Sequence, residues 1–288
     1  MNFNDFIDTA WDEHGDRPQE VAERLAVALP MVAAPAHVAP FARIVTHVYG
    51  EHLGQWQSGI ALLEAVRRAP IYSEAPEVGG VVKRGIATLR YAGGDLAAVN
   101  PLGAEERATV LAAAASALTA HSEFARALDV YAQAVALAAQ LPKGSPAFRS
   151  LASGGNNLSA ALEERTDRDE VQTQGMIAAA RGGVMFWRLA GTWLEEERAH
   201  YRLARSLLAA GQPAEAIESA RQCAEVCLAH DAPAFERFFA YAVLARALRE
   251  DGRTDDYADM RDEALAWFER VPDVDREWCE ADLAELAY

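Results

Sequence analysis

The sequence predicts an all-α protein, a right-handed superhelix of antiparallel helix pairs, on three observations. First, four stretches read alike around short polar turns: an apolar helix, the turn, then a second helix rich in small residues. Ala127, Val171, Ala216 and Tyr257 take equivalent places in the second helices, at spacings of 44, 45 and 41 residues. A period of roughly 20–50 residues made of helix–turn–helix units marks an α-solenoid. Second, hydrophobic residues make up 51% of the chain, and the dominant one is Ala, which favours helix and lets helices approach closely. Third, no segment joins β-branched enrichment to strict alternation, so no sheet is expected.

The elements follow in order. Residues 3–13 place Phe3, Phe6, Ile7, Ala10 and Trp11 on one helical face, as an end cap of the stack would. Asp16 suits an N-cap and Pro18 a first turn, opening a helix to about Leu29. Pro30, Pro35 and Pro40 lead into a helix over 38–53 that Gly54 ends, with Gln55–Ala69 as its partner. Residues 77–91 read as helix despite Gly79, Gly80 and Gly85. Gly93-Gly94 and Asn100-Pro101 mark the longest break, about 92–103. From 104 onward helices alternate with turns such as Gly211-Gln212-Pro213 and Asp251-Gly252-Arg253-Thr254. A last helix, about 274–286, carries Trp278 and Leu283 as the other cap.

Within the clearest unit, Leu203-Ala204, Leu207, Gly211 and Glu215-Ala216 follow one another in fixed order. The next unit has Leu244-Ala245, Leu248, Gly252 and Tyr257, and an earlier one has Ala114-Ala115, Leu118, Ala127, Tyr131 and Ala134. Asn156-Asn157-Leu158-Ser159-Ala160-Ala161-Leu162 opens another. These residues resemble tetratricopeptide repeats, of the longer-helix variety, over about residues 104–272. A weaker unit lies at Gly54–Ala69. The resemblance implies one continuous solenoid: degenerate helical repeats over 1–103, then TPR-like repeats with a capping helix over 104–288.

The formal charge is −16. So acidic a chain repels phosphate backbones and anionic bilayers, which disfavours general nucleic-acid binding and membrane docking. Cys223, Cys227 and Cys279 form no disulfide framework. No signal-peptide pattern and no long apolar run are present, so a cytoplasmic location is expected.

Against that acidity, arginines collect on the first helices. In tetratricopeptide repeats the first helix of each pair lines the concave surface. Leu203 and Leu207 mark the packed face of one such helix, and Arg198, Arg202 and Arg205 lie within about 60° of one another, roughly opposite. Arg246 and Arg249 take comparable places on the next first helix. On the preceding one, Asn156 and Asn157 match asparagines that contact peptide backbones in the family. The guanidinium fork suits carboxylate or phosphate, and an asparagine amide serves both groups of an extended peptide. Asn156, Asn157, Arg198, Arg202, Arg205, Arg246 and Arg249 are therefore the candidate peptide-binding residues, for an acidic segment or a C-terminal carboxylate. The plain alternative is a solvated face, with Glu195 and Glu250 near enough to neutralise part of it. Because the five arginines avoid the packed faces, replacing them is expected to leave stability nearly unchanged.

Other constellations are weaker. Cys223, Cys227 and His230 share one side of a helix but lack a fourth ligand, so packing is the expectation. His47, Glu51 and His52 share a helix without a paired-histidine protease pattern. Glu196 and His200 suit a local hydrogen bond. Met185-Phe186-Trp187 and Trp193 read as core. No phosphate loop or nucleophile elbow occurs. No catalytic residue, cofactor or metal is assigned. The expected function is a non-enzymatic protein- or peptide-binding scaffold, adaptor or chaperone-like. The alternatives are a small-ligand or signal-peptide sensor that changes shape, and an enzyme using the groove as its cleft. Apolar capping helices would allow homo-oligomers.

Overall fold

A computed structural model describes residues 2–287 and holds helices and turns, with no strand among the described residues. The fourteen α-helices described are α1 (Phe3–Glu13), α2 (Pro18–Val27), α3 (Pro35–His47), α4 (Trp56–Arg67), α5 (Gly79–Ala92), α6 (Ala104–Ala120) and α7 (Phe124–Ala138), then α8 (Ala147–Glu163), α9 (Glu170–Ala190), α10 (Trp193–Ala209), α11 (Pro213–Ala229), α12 (Ala234–Glu250), α13 (Thr254–Phe268) and α14 (Glu280–Glu285). Chain neighbours pack together, notably α6 with α7, α10 with α11, and α12 with α13. The chain forms two compact units, Met1–Gly154 and Gly155–Tyr288, and the division falls inside α8. The glycine- and proline-rich break at 92–103 lies within the first unit, where Leu96–Val99 forms a 3₁₀ turn.

Turn chemistry explains why the pairs recur. After α10, Gly211 adopts φ +69°, and the Gln212 amide donates to the Leu207 carbonyl at 2.9 Å. Gly252 (φ +79°) repeats this after α12, where the Arg253 amide donates to the Leu248 carbonyl at 2.9 Å. Both are left-handed helix ends of the kind glycine favours. Ser122 holds the same conformation between α6 and α7 (φ 60°), and Asp231 does so between α11 and α12 (φ 46°). Helix starts are specified too: Thr192 with Glu195, and Asp169 with Gln172, each form a reciprocal capping box. Pro18 sits in the first turn of α2 as expected, but the N-cap is Arg17 rather than Asp16, with no side-chain cap bond.

The repeat positions form the core. Ala114, Ala115, Leu118, Ala127, Tyr131 and Ala134 are buried between α6 and α7, and Ala204, Leu207, Ala216, Leu244, Ala245 and Leu248 are buried in the second unit. Val171 departs from the expected equivalence. It is 74% exposed at the start of α9, whose buried face begins only at Met176. The helix is 21 residues long, so its extra N-terminal turn projects past the packed layer and the register read from Val171 is wrong. The helix expected over 38–53 also divides: α3 stops at His47, and Val48–His52 is a π turn in which the Leu53 amide donates to the Val48 carbonyl at 3.1 Å. The last expected helix is a 3₁₀ turn, Asp273–Cys279, leading into α14.

Candidate functional site

In the second unit a cavity of about 390 Å³ opens between α8, α10 and α12, with Trp278 at its edge. Its lining joins Asn156 and Asn157 of α8, Arg198, Tyr201 and Arg202 of α10, and Phe235, Glu236 and Phe239 of α12. The sequence spacing accounts for this. Positions 198, 201, 202 and 205 fall on one face of α10, and 235 and 239 on one face of α12. Tyr201 meets Phe239 edge to face with centroids 5.6 Å apart, and Phe235 meets Phe239 at 5.0 Å. Four of the seven residues singled out in the sequence thus line one apolar-walled cavity.

The other three lie along the seat of α14. Arg205 donates Nε to Glu163 Oε1 at 2.7 Å and Nη1 to both Asp282 oxygens at 3.3 Å. Arg246 donates Nη1 to Glu285 Oε2 at 2.7 Å and Nε to Glu250 Oε1 at 2.9 Å. Arg249 donates to the Glu285 main-chain carbonyl at 2.6 Å. Within the cavity, Arg198 pairs with Glu236 at 2.5 Å and Arg202 with Glu163 at 2.7 Å. Four of the arginines therefore pair with carboxylates of Glu163, Glu236, Glu250, Asp282 and Glu285, and Arg249 reaches a main-chain carbonyl, so the stripe is a lattice of paired charges rather than a bare positive surface.

Arg205 does not stand on an open face. Its side chain is only 20% exposed. Burial works against its charge, yet Tyr201, Glu163 and Asp282 outweigh that and hold its pKa above the ordinary arginine value. Arg198 is the opposite case, at 55% exposed.

Two cavity residues carry buried oxygens without a hydrogen-bond partner among the described residues, Glu197 Oε2 and Asn156 Oδ1. Glu197 is 1% exposed. Burial, reinforced by the nearby Glu236 carboxylate, pushes its pKa up to about 8, against the lowering effect of a thiol bond in which Cys223 Sγ donates to Oε1 at 3.0 Å. Desolvation disfavours the anion, so the carboxyl retains its proton near neutral pH. Asn156 Oδ1 rests on the bare backbone of Gly183, where an added Cβ would lie 2.1 Å from it. Asn157 is exposed on the cavity wall. The sequence reading missed Glu197 and the aromatic wall. The signals were Tyr201 three residues beyond Arg198, and Phe235 four before Phe239.

The remaining constellations also resolve. Cys223 and Cys227 are buried, and burial pushes both thiols up. His230 is exposed and stacks on Trp193. Glu196 and His200 do not bond directly as expected. Arg188 lies between them, donating Nε to Glu196 Oε1 at 2.8 Å and Nη2 to His200 Nε2 at 2.9 Å. Phe186 and Trp187 are buried as expected, but Met185 is exposed and Trp193 half-buried. His47 Nδ1 lies 3.0 Å from Glu51 Oε1. No helix among the described residues is long and apolar enough to cross a membrane.

No protein-family profile matches the chain, and no curated protein matches it in sequence. Among solved structures, it is similar to the nearly identical TPR-like repeats of a Podosopora anserina protein assigned as a kinesin light chain. That likeness has a TM-score of 0.50 and 19% identity, over 82% of this chain and 96% of that one. A variant of those repeats gives a TM-score of 0.49 and 19% identity, over 81% and 95%. The fold is thus TPR-like, an all-α stack of adjacent helix pairs. At this identity the likeness speaks for fold alone, and function rests on the site.

Proposed function

We propose that the protein is a non-enzymatic scaffold that binds a peptide or protein segment at the α8–α10–α12 cavity. The observation that carries this reading is the cavity's composition: an aromatic wall of Tyr201, Phe235 and Phe239 beside Arg198, Arg202, Asn156 and Asn157. Concave sites of this kind pair apolar burial with a few oriented polar groups. The preferred segment carries an apolar or aromatic anchor next to a carboxylate. The chain supplies its own analogue next door: α14 lays Asp282 and Glu285 on Arg205 and Arg246, and the Tyr201 hydroxyl donates to Asp282 Oδ1 at 2.6 Å. A partner carboxylate would exchange with Glu236 for the exposed Arg198, so specificity comes from the anchor as much as from charge.

The test uses fluorescence anisotropy with peptides bearing an aromatic anchor flanked by Asp or Glu, alongside the same peptides with Lys. Combined Arg198→Ala and Asn157→Ala replacement should weaken the acidic peptides by about tenfold or more; because it also leaves the buried Glu236 without its Arg198 partner, affinity is measured well below the variant's melting temperature and set beside Asn157→Ala alone. Unchanged affinity would remove this cavity as the binding site. The cavity's volume also suits a small ligand. Binding of free aromatic carboxylates with a smaller radius of gyration, and no peptide binding, would turn the reading to a sensor.

A further inference from the structure

Away from that cavity, in the first unit, three histidines converge. His14 is the C-cap of α1, His47 is the last residue of α3, and His52 closes the π turn. Each offers a ring nitrogen, and the three nitrogens lie within 4.8 Å of one another. His47 Nε2 and His52 Nε2 are 3.2 Å apart. The ring centroids form a nearly equilateral triangle, with His14–His47 at 4.9 Å, His14–His52 at 5.0 Å and His47–His52 at 4.9 Å. None of the three pairs is stacked: the interplanar angles are 57°, 90° and 81°.

The backbone explains the convergence. In an α-helix, residues five apart point about 140° apart. The π turn widens the winding, so its hydrogen bonds link residues five apart and bring His47 and His52 to one side. The turn is held from outside: His121 Nε2 donates to the Gly50 carbonyl at 2.9 Å, and a Cβ on Gly50 would press on Leu89 at 3.1 Å. Packing of α1 on α3 then brings His14 to the pair.

We infer that His14, His47 and His52 form a binding site for a divalent transition metal of the zinc class. Two nitrogens bound at about 2.0–2.1 Å to one tetrahedral zinc lie roughly 3.3 Å apart, which matches the His47–His52 spacing. The outward ring atoms are also arranged as metal-bound histidines require. His47 Nδ1 faces the Glu51 carboxylate at 3.0 Å, and His14 Nδ1 donates to the Trp11 carbonyl. Such partners fix the tautomer that leaves Nε2 free and orient the ring toward the ion. Three imidazoles suit zinc, copper or nickel rather than magnesium or calcium, and leave one position for water. Bound metal would tie α1 to the end of α3.

The experiment strips the full-length protein with chelator and titrates it with zinc chloride alone by calorimetry. Cobalt(II) absorption reports the ligand geometry in the unmodified chain. The expected result is one metal per chain, a tetrahedral nitrogen-type cobalt spectrum without thiolate charge transfer, and a rise in Tm of about 5 °C at a hundredfold excess over Kd. His14→Ala should weaken binding at least tenfold, and Glu51→Gln by about tenfold to a hundredfold. Cys223→Ala with Cys227→Ala should change nothing. A purely hydrogen-bonded histidine cluster would show no stoichiometric metal, and that result overturns the inference. So would binding that survives His14→Ala, or a thiolate band in the cobalt spectrum, which reads the ligands without any variant.

Discussion

The two units share one construction, the antiparallel helix pair, and differ in where they put charge. In the first, the buried core is Phe, Val, Leu, Ile, Tyr and Ala, and its buried polar residues are Thr88, Thr119 and Ser145. Thr119 and Ser145 donate hydroxyl bonds, to the Ala115 carbonyl at 2.8 Å and to Glu105 Oε2 at 2.7 Å. Its histidine corner lies half-buried at the rim. The second unit instead buries five ionisable side chains: Glu197 and His200, which burial keeps neutral near pH 7, and Glu236, Arg237 and Asp282, which are ion-paired. An apolar core tolerates substitution as long as volume is conserved. A buried charge does not, because an unpaired ion in low dielectric costs several kcal/mol. The second unit therefore fixes its helix register by ion pairing as well as by shape. The first relies on packing and on turns.

The sharpest way to break this comparison is Arg205→Ala. Arg205 donates to Glu163, Tyr201 and Asp282 in a half-closed interior. Its removal leaves Asp282 with the Tyr201 hydroxyl and no close cation, and Glu163 with Arg202 alone, in a largely buried site, and should cost about 3 kcal/mol. In the first unit, Arg90 contacts Glu64 at 3.6 Å with both groups partly exposed, and Arg90→Ala should cost under about 0.5 kcal/mol. Urea denaturation of the full chain gives the totals, and native-state hydrogen exchange of α10 and α12 locates them. Equal losses for the two variants would mean that charge placement does not distinguish the units.

A smaller effect, of opposite sign, is expected at Glu197. Its folded pKa of about 8 stands above the ordinary 4.5. The unfolded chain therefore ionises first as pH rises. Stability is fully present below pH 4.5 and falls progressively up to pH 8. Glu197→Gln removes the titration while keeping an oxygen for the Cys223 thiol. It should stabilise the protein by about 1–3 kcal/mol at pH 8 and by almost nothing at pH 4. A gain of the same size at both pH values would place its origin in packing rather than ionisation.

Much of the scaffold was legible because helix periodicity and turn residues are local signals. Gly211 and Gly252 announce helix ends, and Ala216 and Leu248 announce packed faces. The misses share a cause: they depend on neighbours distant in sequence. Ser122 takes a glycine's conformation without glycine's signature. Val171 sits at a plausible spacing on a helix that starts a turn early. The arginine stripe was readable, yet its neutralisation by Glu163, Asp282 and Glu285 was not, since Glu163 is 39 and 42 residues from Arg202 and Arg205, and Asp282 lies 77 from Arg205. The histidine corner needed the π turn, which no periodicity marks, and His14 from another helix.

The smaller of the two pH effects is the acid limb of the second unit. His200 is buried between Arg188 and Ser219. Burial, with the Arg188 charge behind it, lowers its pKa to about 4 from 6.5. Because Arg188 donates to Nε2, the ring's proton belongs on Nδ1, facing the Ser219 hydroxyl at 3.3 Å. Protonating Nε2 would destroy the bond from Arg188 and set two cations together. The unfolded chain takes up the proton first as pH falls, so this contribution is intact above pH 6.5 and is lost between 6.5 and 4. At pH 5.5 the loss should be about 1 kcal/mol relative to pH 7. Glu197 moves stability the other way over the same interval, so the Glu197→Gln background is where the acid limb should be measured. There, adding His200→Gln should flatten the fall in hydrogen-exchange protection of α10 and α11 between pH 7 and 5.5. Protection of α6 and α7, where burial raises the pKa of Tyr131 and keeps it neutral through this range, should stay level in both proteins. An acid limb that persists without His200, or that runs equally through α6 and α7, would show that the pH response belongs to the whole chain and not to the unit that buries its charges.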